Sequence, residues 1–127
     1  MNSAKKQLNV LFIEDNKDDV FLTVRYLKQY WTEVNYLAVD SIDKLTTALK
    51  LQWDVIICDF ALPGFDGMTA LRLIKAAGVN TPFIVLSGVV SEDVAMLMMR
   101  LGADDYIIKA HFTPTEVVEK VKKILTK

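Results

Sequence analysis

The sequence predicts an α/β protein, five β-strands alternating with five helices in a (βα)5 order, the strands paired into one parallel sheet. Two observations carry this. Short apolar runs fall at residues 8–14 (LNVLFIE), 34–39 (VNYLAV), 54–59 (DVIICD), 82–87 (PFIVLS) and 105–108 (DYII), with amphipathic stretches near 18–30, 41–51, 67–77, 91–101 and 114–126. Strand and helix patterns in strict alternation make βαβ units and a parallel sheet covered on both sides. The strand cores VLFI, VIIC and FIVL are also apolar at every position, as strands buried on two faces require.

The elements in order bear this out. Residues 1–7 are polar and are expected to be loose. The first strand runs into Glu14-Asp15, and Asp18-Asp19 then place negative charge where a helix N-terminus favours it. Ser41 is a capping residue for the second helix, and Ser91 with Glu92 and Asp93 opens the fourth. Gly78 and Gly102 follow the third and fourth helices, where a left-handed terminator is common. Helix four reads Val94-Ala95-Met96-Leu97-Met98-Met99. Such a run wraps more than one turn, so no single buried stripe holds it, and Met96 and Met99 are expected to be exposed as an adaptable contact surface. Lys120, Lys122, Lys123 and Lys127 are read as a solvated face of helix five. Trp31 and Trp53 are read as packing residues, Cys58 as a core thiol and His111 as an ordinary loop residue.

Length and composition narrow the function. At 127 residues the chain is expected to be one domain spanning 1–127, with no separate output domain, so it acts by touching another protein or a second copy of itself. A hydrophobic content of 52% excludes disorder. Fifteen basic and 16 acidic residues leave a net charge of −1, which gives no global field for nucleic acid or an anionic membrane. The lone cysteine excludes an internal disulfide, and no apolar run approaches the ~20 residues needed to cross a bilayer. With no secretory segment in view, a cytoplasmic location is expected.

In open α/β sheets ligands bind beyond the carboxyl ends of the strands. Those ends carry Glu14-Asp15, Asp59, Ser87-Gly88 and Lys109. Each alone is unremarked: a turn former, a helix cap, a loop hydroxyl, a surface lysine. Together they make a site. Clustered carboxylates either shift their pKa values or bind a cation, and a few hard oxygen ligands with room for water suit Mg²⁺. Lys109 adds a fixed positive charge, Ser87 a hydroxyl for a phosphoryl oxygen, and Gly88 space for that group. A carboxylate flanked by Mg²⁺ and lysine can attack phosphorus and form an aspartyl phosphate. Asp59 is the candidate, because it ends a central strand ahead of a long loop, 60–67, open to solvent.

These residues resemble the receiver domain of two-component response regulators. The likeness runs from Leu8 to Leu125 and rests on Phe12-Ile13-Glu14-Asp15-Asn16, Asp59-Phe60-Ala61-Leu62-Pro63-Gly64-Phe65-Asp66-Gly67, Leu86-Ser87-Gly88 and Gly102-Ala103-Asp104-Asp105-Tyr106-Ile107-Ile108-Lys109. The resemblance implies a flavodoxin-like three-layer sandwich with strand order 2-1-3-4-5. It implies phosphorylation of Asp59 by a histidine kinase or histidine phosphotransfer protein, with no external substrate turned over. It also implies Mg²⁺ held by Asp15, Asp59 and the backbone carbonyl of Ala61, with Glu14 assisting through water. Ser87 and Tyr106 match the family's switch pair, Lys109 its phosphoryl-binding lysine, and the helix four–strand five–helix five surface its partner face. The departure is Ala110, where the family has proline. A cis bond before alanine costs ~3–4 kcal/mol, so a trans bond with a rearranged loop, or a strained cis bond, is expected. The two positions that tune phosphoryl lifetime in the family are Ala61 and Val89 here, and neither orients water.

Rival classes fit less well. A haloacid-dehalogenase-like phosphatase needs a second carboxylate two residues after the nucleophile, where this chain has Ala61. A flavodoxin cradles phosphate with small hydroxyl and glycine residues, whereas Glu14-Asp15-Asn16-Lys17-Asp18-Asp19 repels it. A receiver-like module that only binds proteins, without phosphorylation, is the alternative kept open.

Overall fold

The computed structural model describes residues 7–62, 64–88, 92–109 and 113–126. Five strands form the sheet: β1 (Gln7–Ile13), β2 (Glu33–Val39), β3 (Val55–Asp59), β6 (Phe83–Ser87) and β7 (Asp105–Ile108). Two short strands, β4 (Ala61–Leu62) and β5 (Phe65–Asp66), stand outside it as an antiparallel pair. All pairings in the sheet are parallel and the order is β2-β1-β3-β6-β7, which is 2-1-3-4-5 once the small pair is set aside. The helices are α1 (Lys17–Leu27), α2 (Ile42–Ala48), α3 (Gly67–Ala76), α4 (Glu92–Arg100) and α5 (Pro114–Leu125).

The period of two along each strand divides the core into two layers. Val10 and Phe12 of β1, Val55 and Ile57 of β3, and Ile84 and Leu86 of β6 point to one side, where they meet Val20, Val24 and Leu27 of α1 and Val117, Val121 and Ile124 of α5. Leu11, Ile13, Ile56, Cys58, Phe83 and Val85 point to the other, against Leu45 of α2, Leu71 and Ile74 of α3 and Met98 of α4. The result is the expected three-layer sandwich. The uniformly apolar strand cores are the central strands, as both-face burial demands. The outer strand β2 is mostly exposed and correspondingly mixed in sequence.

The punctuation holds where it is described. Ser41 caps α2 by accepting from the Lys44 N–H at 3.2 Å. Gly78 and Gly102 adopt φ of 78° and 114°, and the residues after them return their N–H groups to Ile74 and Met98, closing α3 and α4. Ser91 lies outside the described residues, as do residues 1–6. Three expectations need correction. Gln7 is not loose; it pairs with Glu33 as the first residue of β1. Segment 60–67 is not an open loop, because Ala61 and Leu62 pair with Asp66 and Phe65. Helices α1 and α2 stop at Leu27 and Ala48 rather than near 30 and 51, their ends closed by N–H groups of residues 28–31 that reach back to Val24, Tyr26 and Leu27 and of residues 49–51 that reach back to Leu45, Thr47 and Ala48. Trp31 is buried, and Trp53 is half-buried with its indole N–H donated to the Ala48 carbonyl at 2.9 Å.

Candidate functional site

Parallel pairing in register brings the strand ends together. Ile13 lies beside Cys58, Asp59 beside Leu86, and Ser87 beside Ile108. The residues that leave the sheet at this edge are therefore Glu14, Asp59, Gly88 and Lys109. Glu14 is buried, Asp59 half-buried and Asp15 exposed, and one carboxylate oxygen from each lies within 4.8 Å of the others.

Burial, and then the charge of Asp59, push Glu14 up from 4.5 to about 7 against the opposing pull of Lys109 and the Asn16 N–H. That N–H donates to Glu14 Oε2 at 3.2 Å. The Asn16 side chain in turn caps α1 by accepting from the N–H groups of Asp18 and Asp19. Below the edge, burial and the charge of Asp59 raise the Cys58 thiol well above its ordinary value, and its sulfur hydrogen-bonds the Asp59 carbonyl at 3.1 Å. Cys58 is thus a protonated core residue, as its position in VIIC suggested.

Glu14 gives the metal-free protein a pH signature. A carboxylate with a raised folded pKa holds a proton that the unfolded chain has already lost, so stability falls as pH rises between the two values. With a chelator present, urea unfolding is expected to show stability declining from about pH 4.5 to about pH 7. Glu14→Gln is expected to flatten that decline; an unchanged slope in the variant would assign it to another group.

Lys109 is the positive member of the site. Its ammonium lies 2.7 Å from Asp19 Oδ2, 3.3 Å from Glu14 Oε1 and 3.6 Å from Asp59 Oδ2. Burial works to lower its pKa, but the hydrogen bond to Asp19 and the charges of Glu14, Asp59 and Asp19 outweigh it and hold the group above 10.5. Lys109 is therefore a permanent cation here. A methyl group added at Gly88 would stand 3.8 Å from the Lys109 stem, so the glycine leaves the face over that stem open.

The structure thus gathers Glu14, Asp15, Asp59, Gly88 and Lys109 as the sequence predicted. Ala61 lies two residues beyond Asp59, exposed, at the start of β4. Ser87 ends β6, while its side chain, Val89, His111 and the Lys109–Ala110 bond lie outside the described residues. Tyr106 is half-buried in β7 and packs on the α2–α3–α4 side of the core. Met96 and Met99 are exposed by 54% and 41%, as expected, and Leu97 joins them at 40%, while Met98 turns inward. The helix-five lysines need a correction. Lys120 is half-buried and donates to Asp105 Oδ1 and the Tyr106 carbonyl, both at 3.0 Å, and Lys122 lies 4.3 Å from the Tyr30 ring. Both tie α5 to its neighbours, and only Lys123 of those described is fully on the solvent face.

One site residue was missed. Asp19 reads in sequence as a helix-start charge, yet it makes the shortest contact to Lys109. The available signal was its place in the first turn of the helix that leaves the Glu14-Asp15 edge.

An all-oxygen cluster with one exposed flank has the donor chemistry of a hard divalent cation site. With a lysine beside it, at the carboxyl edge of a 2-1-3-4-5 sheet, it defines a signalling domain of the receiver type. The chain belongs to the response regulator receiver domain family, whose sequence model matches residues 10–122. It is 34% identical over 119 residues, 91% of this chain and 50% of the relative, to the transcriptional regulatory protein PcoR of Escherichia coli. It is 31% identical to the transcriptional regulatory protein PrrA of Mycobacterium tuberculosis, over 98% of this chain and 53% of that one. Among solved structures it resembles the phosphorylated cyanobacterial phytochrome response regulator RcpA, with a TM-score of 0.76 and 25% identity over 93% of this chain and 91% of that one. The chain spans about half, or less, of the length of the curated relatives it matches. Their names are those of transcription regulators, so the expectation of no nucleic-acid partner gains no support from them. Among the described residues no helix is long and apolar enough to cross a membrane.

Proposed function

We propose that Asp59 is the phosphoacceptor of a two-component relay and that residues 1–127 act as one receiver unit in the cytoplasm. The observation that carries this is the joint placement of Glu14, Asp15 and Asp59 within 4.8 Å, with the Lys109 ammonium 3.6 Å from Asp59. Asp15, Asp59 and the Ala61 carbonyl would hold Mg²⁺, with Glu14 reaching it through water. Bound there, the ion supplies charge to offset the oxygens of the incoming phosphoryl group. An Asp59 oxygen forms the bond to phosphorus as the donor's P–N bond breaks, and the electron pair leaves with the imidazole nitrogen of a histidine kinase or phosphotransfer protein. Lys109 pairs with a phosphoryl oxygen, Gly88 leaves room for the group, and the Ser87 hydroxyl bonds it. Tyr106 then turns with Ser87, and the surface bearing Met96, Met99 and Tyr106 meets a downstream protein or a second copy of the chain. The domain signals and turns over no external substrate.

Incubation with Mg²⁺ and a small phosphodonor is expected to add one phosphoryl group to the intact mass, and Asp59→Asn is expected to abolish the gain. No adduct on the wild type would favour a module that binds proteins without phosphorylation.

A further inference from the structure

Lys109 spends its shortest contact on a residue outside the carboxylate cluster. Asp19 Oδ2 lies 2.7 Å from the ammonium, against 3.3 Å for Glu14 and 3.6 Å for Asp59. Ordinary helix-start chemistry does not require this contact, which joins residues 90 apart in sequence. Asp19 is also held in place to make it. Its N–H is fixed by the Asn16 side chain at 3.1 Å, and its carbonyl accepts from the Thr23 hydroxyl at 2.8 Å, Thr23 being buried. Lysine is a point charge on a flexible stem, so its head can exchange one anion for another without moving the strand that carries it.

Building on the phosphoacceptor reading above, we propose that Asp19 is a positioning residue that holds Lys109 in the unphosphorylated domain and competes with the phosphoryl group for its ammonium. While the contact lasts, the lysine is drawn away from Asp59 toward α1. When the phosphoryl group arrives, Lys109 transfers to it, and Asp19 is released at the exposed start of α1. The Lys109–Asp19 contact thus sets how much binding energy must be supplied before the lysine engages.

The test uses beryllofluoride as the phosphoryl stand-in, titrated calorimetrically at saturating Mg²⁺. Asp19→Asn is expected to bind it about two- to fivefold more tightly, the range for losing a partly exposed ion pair. Asp18→Asn removes the same charge one residue away, and Asp18 is absent from the ion pairs that Lys109 makes. Its affinity is expected to stay closer to wild type than that of Asp19→Asn. Asp19→Ser gives a second reading should the asparagine variant fold poorly. Equal tightening by Asp18→Asn would reduce the effect to a general field and overturn the proposal, as would unchanged or weaker binding in the Asp19 variants. A wild-type protein that takes no beryllofluoride would sink the phosphoacceptor reading itself, and this proposal with it.

Discussion

Lys109→Met is expected to slow phosphoryl transfer to Asp59 by about 10²–10³-fold, the loss typical of removing one preorganised charge partner from a developing anion, while Mg²⁺ binding becomes tighter. The opposite signs follow from one fact. The ammonium stands 3.3 Å from Glu14 and 3.6 Å from Asp59, so it competes with any cation for the same oxygens. Without it the cluster is more negative, and a divalent ion gains roughly tenfold in affinity, well under the bare Coulomb value because the edge is partly solvated. A phosphoryl group, by contrast, loses its only described lysine partner. Methionine preserves most of the aliphatic stem that lies over Gly88, so packing changes little. Mass-resolved phosphorylation time courses and Mg²⁺ titration read the two effects separately. Should both fall together, the lysine would be acting through the fold and not through charge.

That lysine also marks where sequence reading succeeds and where it stops. The sheet was legible because the physics of burial on two faces writes itself on every residue of a central strand: VLFI, VIIC and FIVL have no polar position. Once parallel order is known, strand ends share one edge, so the sequence alone groups Glu14, Asp59, Gly88 and Lys109. Helix ends were legible where a single residue does the work, as at Ser41, Gly78 and Gly102. The reach of long side chains was not. Asp19 starts the helix that leaves the Glu14-Asp15 edge and Lys120 has an ordinary sequence context, but neither position says which partner its head reaches: Lys109 for the one, Asp105 and the Tyr106 carbonyl for the other. The β4–β5 pair was missed for a related reason. Two-residue strands carry no periodicity, and Leu62-Pro63-Gly64-Phe65 reads as a turn whether or not the flanking residues pair. Exposure along α4 was predictable in kind, since a run of apolar residues must put some outside. Leu97 shows that which of them face solvent depends on how the helix turns Met98 into the core, not on the run itself.

The phosphorylated protein is expected to keep its phosphoryl group for minutes or longer at neutral pH. Hydrolysis needs water in line with the Asp59 oxygen that departs, held by a side chain that accepts its proton or fixes its lone pairs. Residue 61 matches one of the two positions that tune phosphoryl lifetime in the receiver family, and it stands two residues past Asp59, exposed, at the start of β4. Alanine offers only a methyl there. Lys109 is fully donating and cannot accept a proton from water. Glu14 is the buried member of the cluster and accepts from the Asn16 N–H. Among the described residues none therefore holds the attacking water, and the rate is expected to stay near that of the unassisted acyl phosphate. Ala61→Gln adds an amide that can both donate and accept, and it is expected to shorten the lifetime roughly tenfold, a fraction of what a fully evolved acid–base group contributes. Phosphate release from purified phosphoprotein, followed in both forms after the donor is removed, measures this directly. Loss from the wild type within seconds would mean that another group already orients the attacking water.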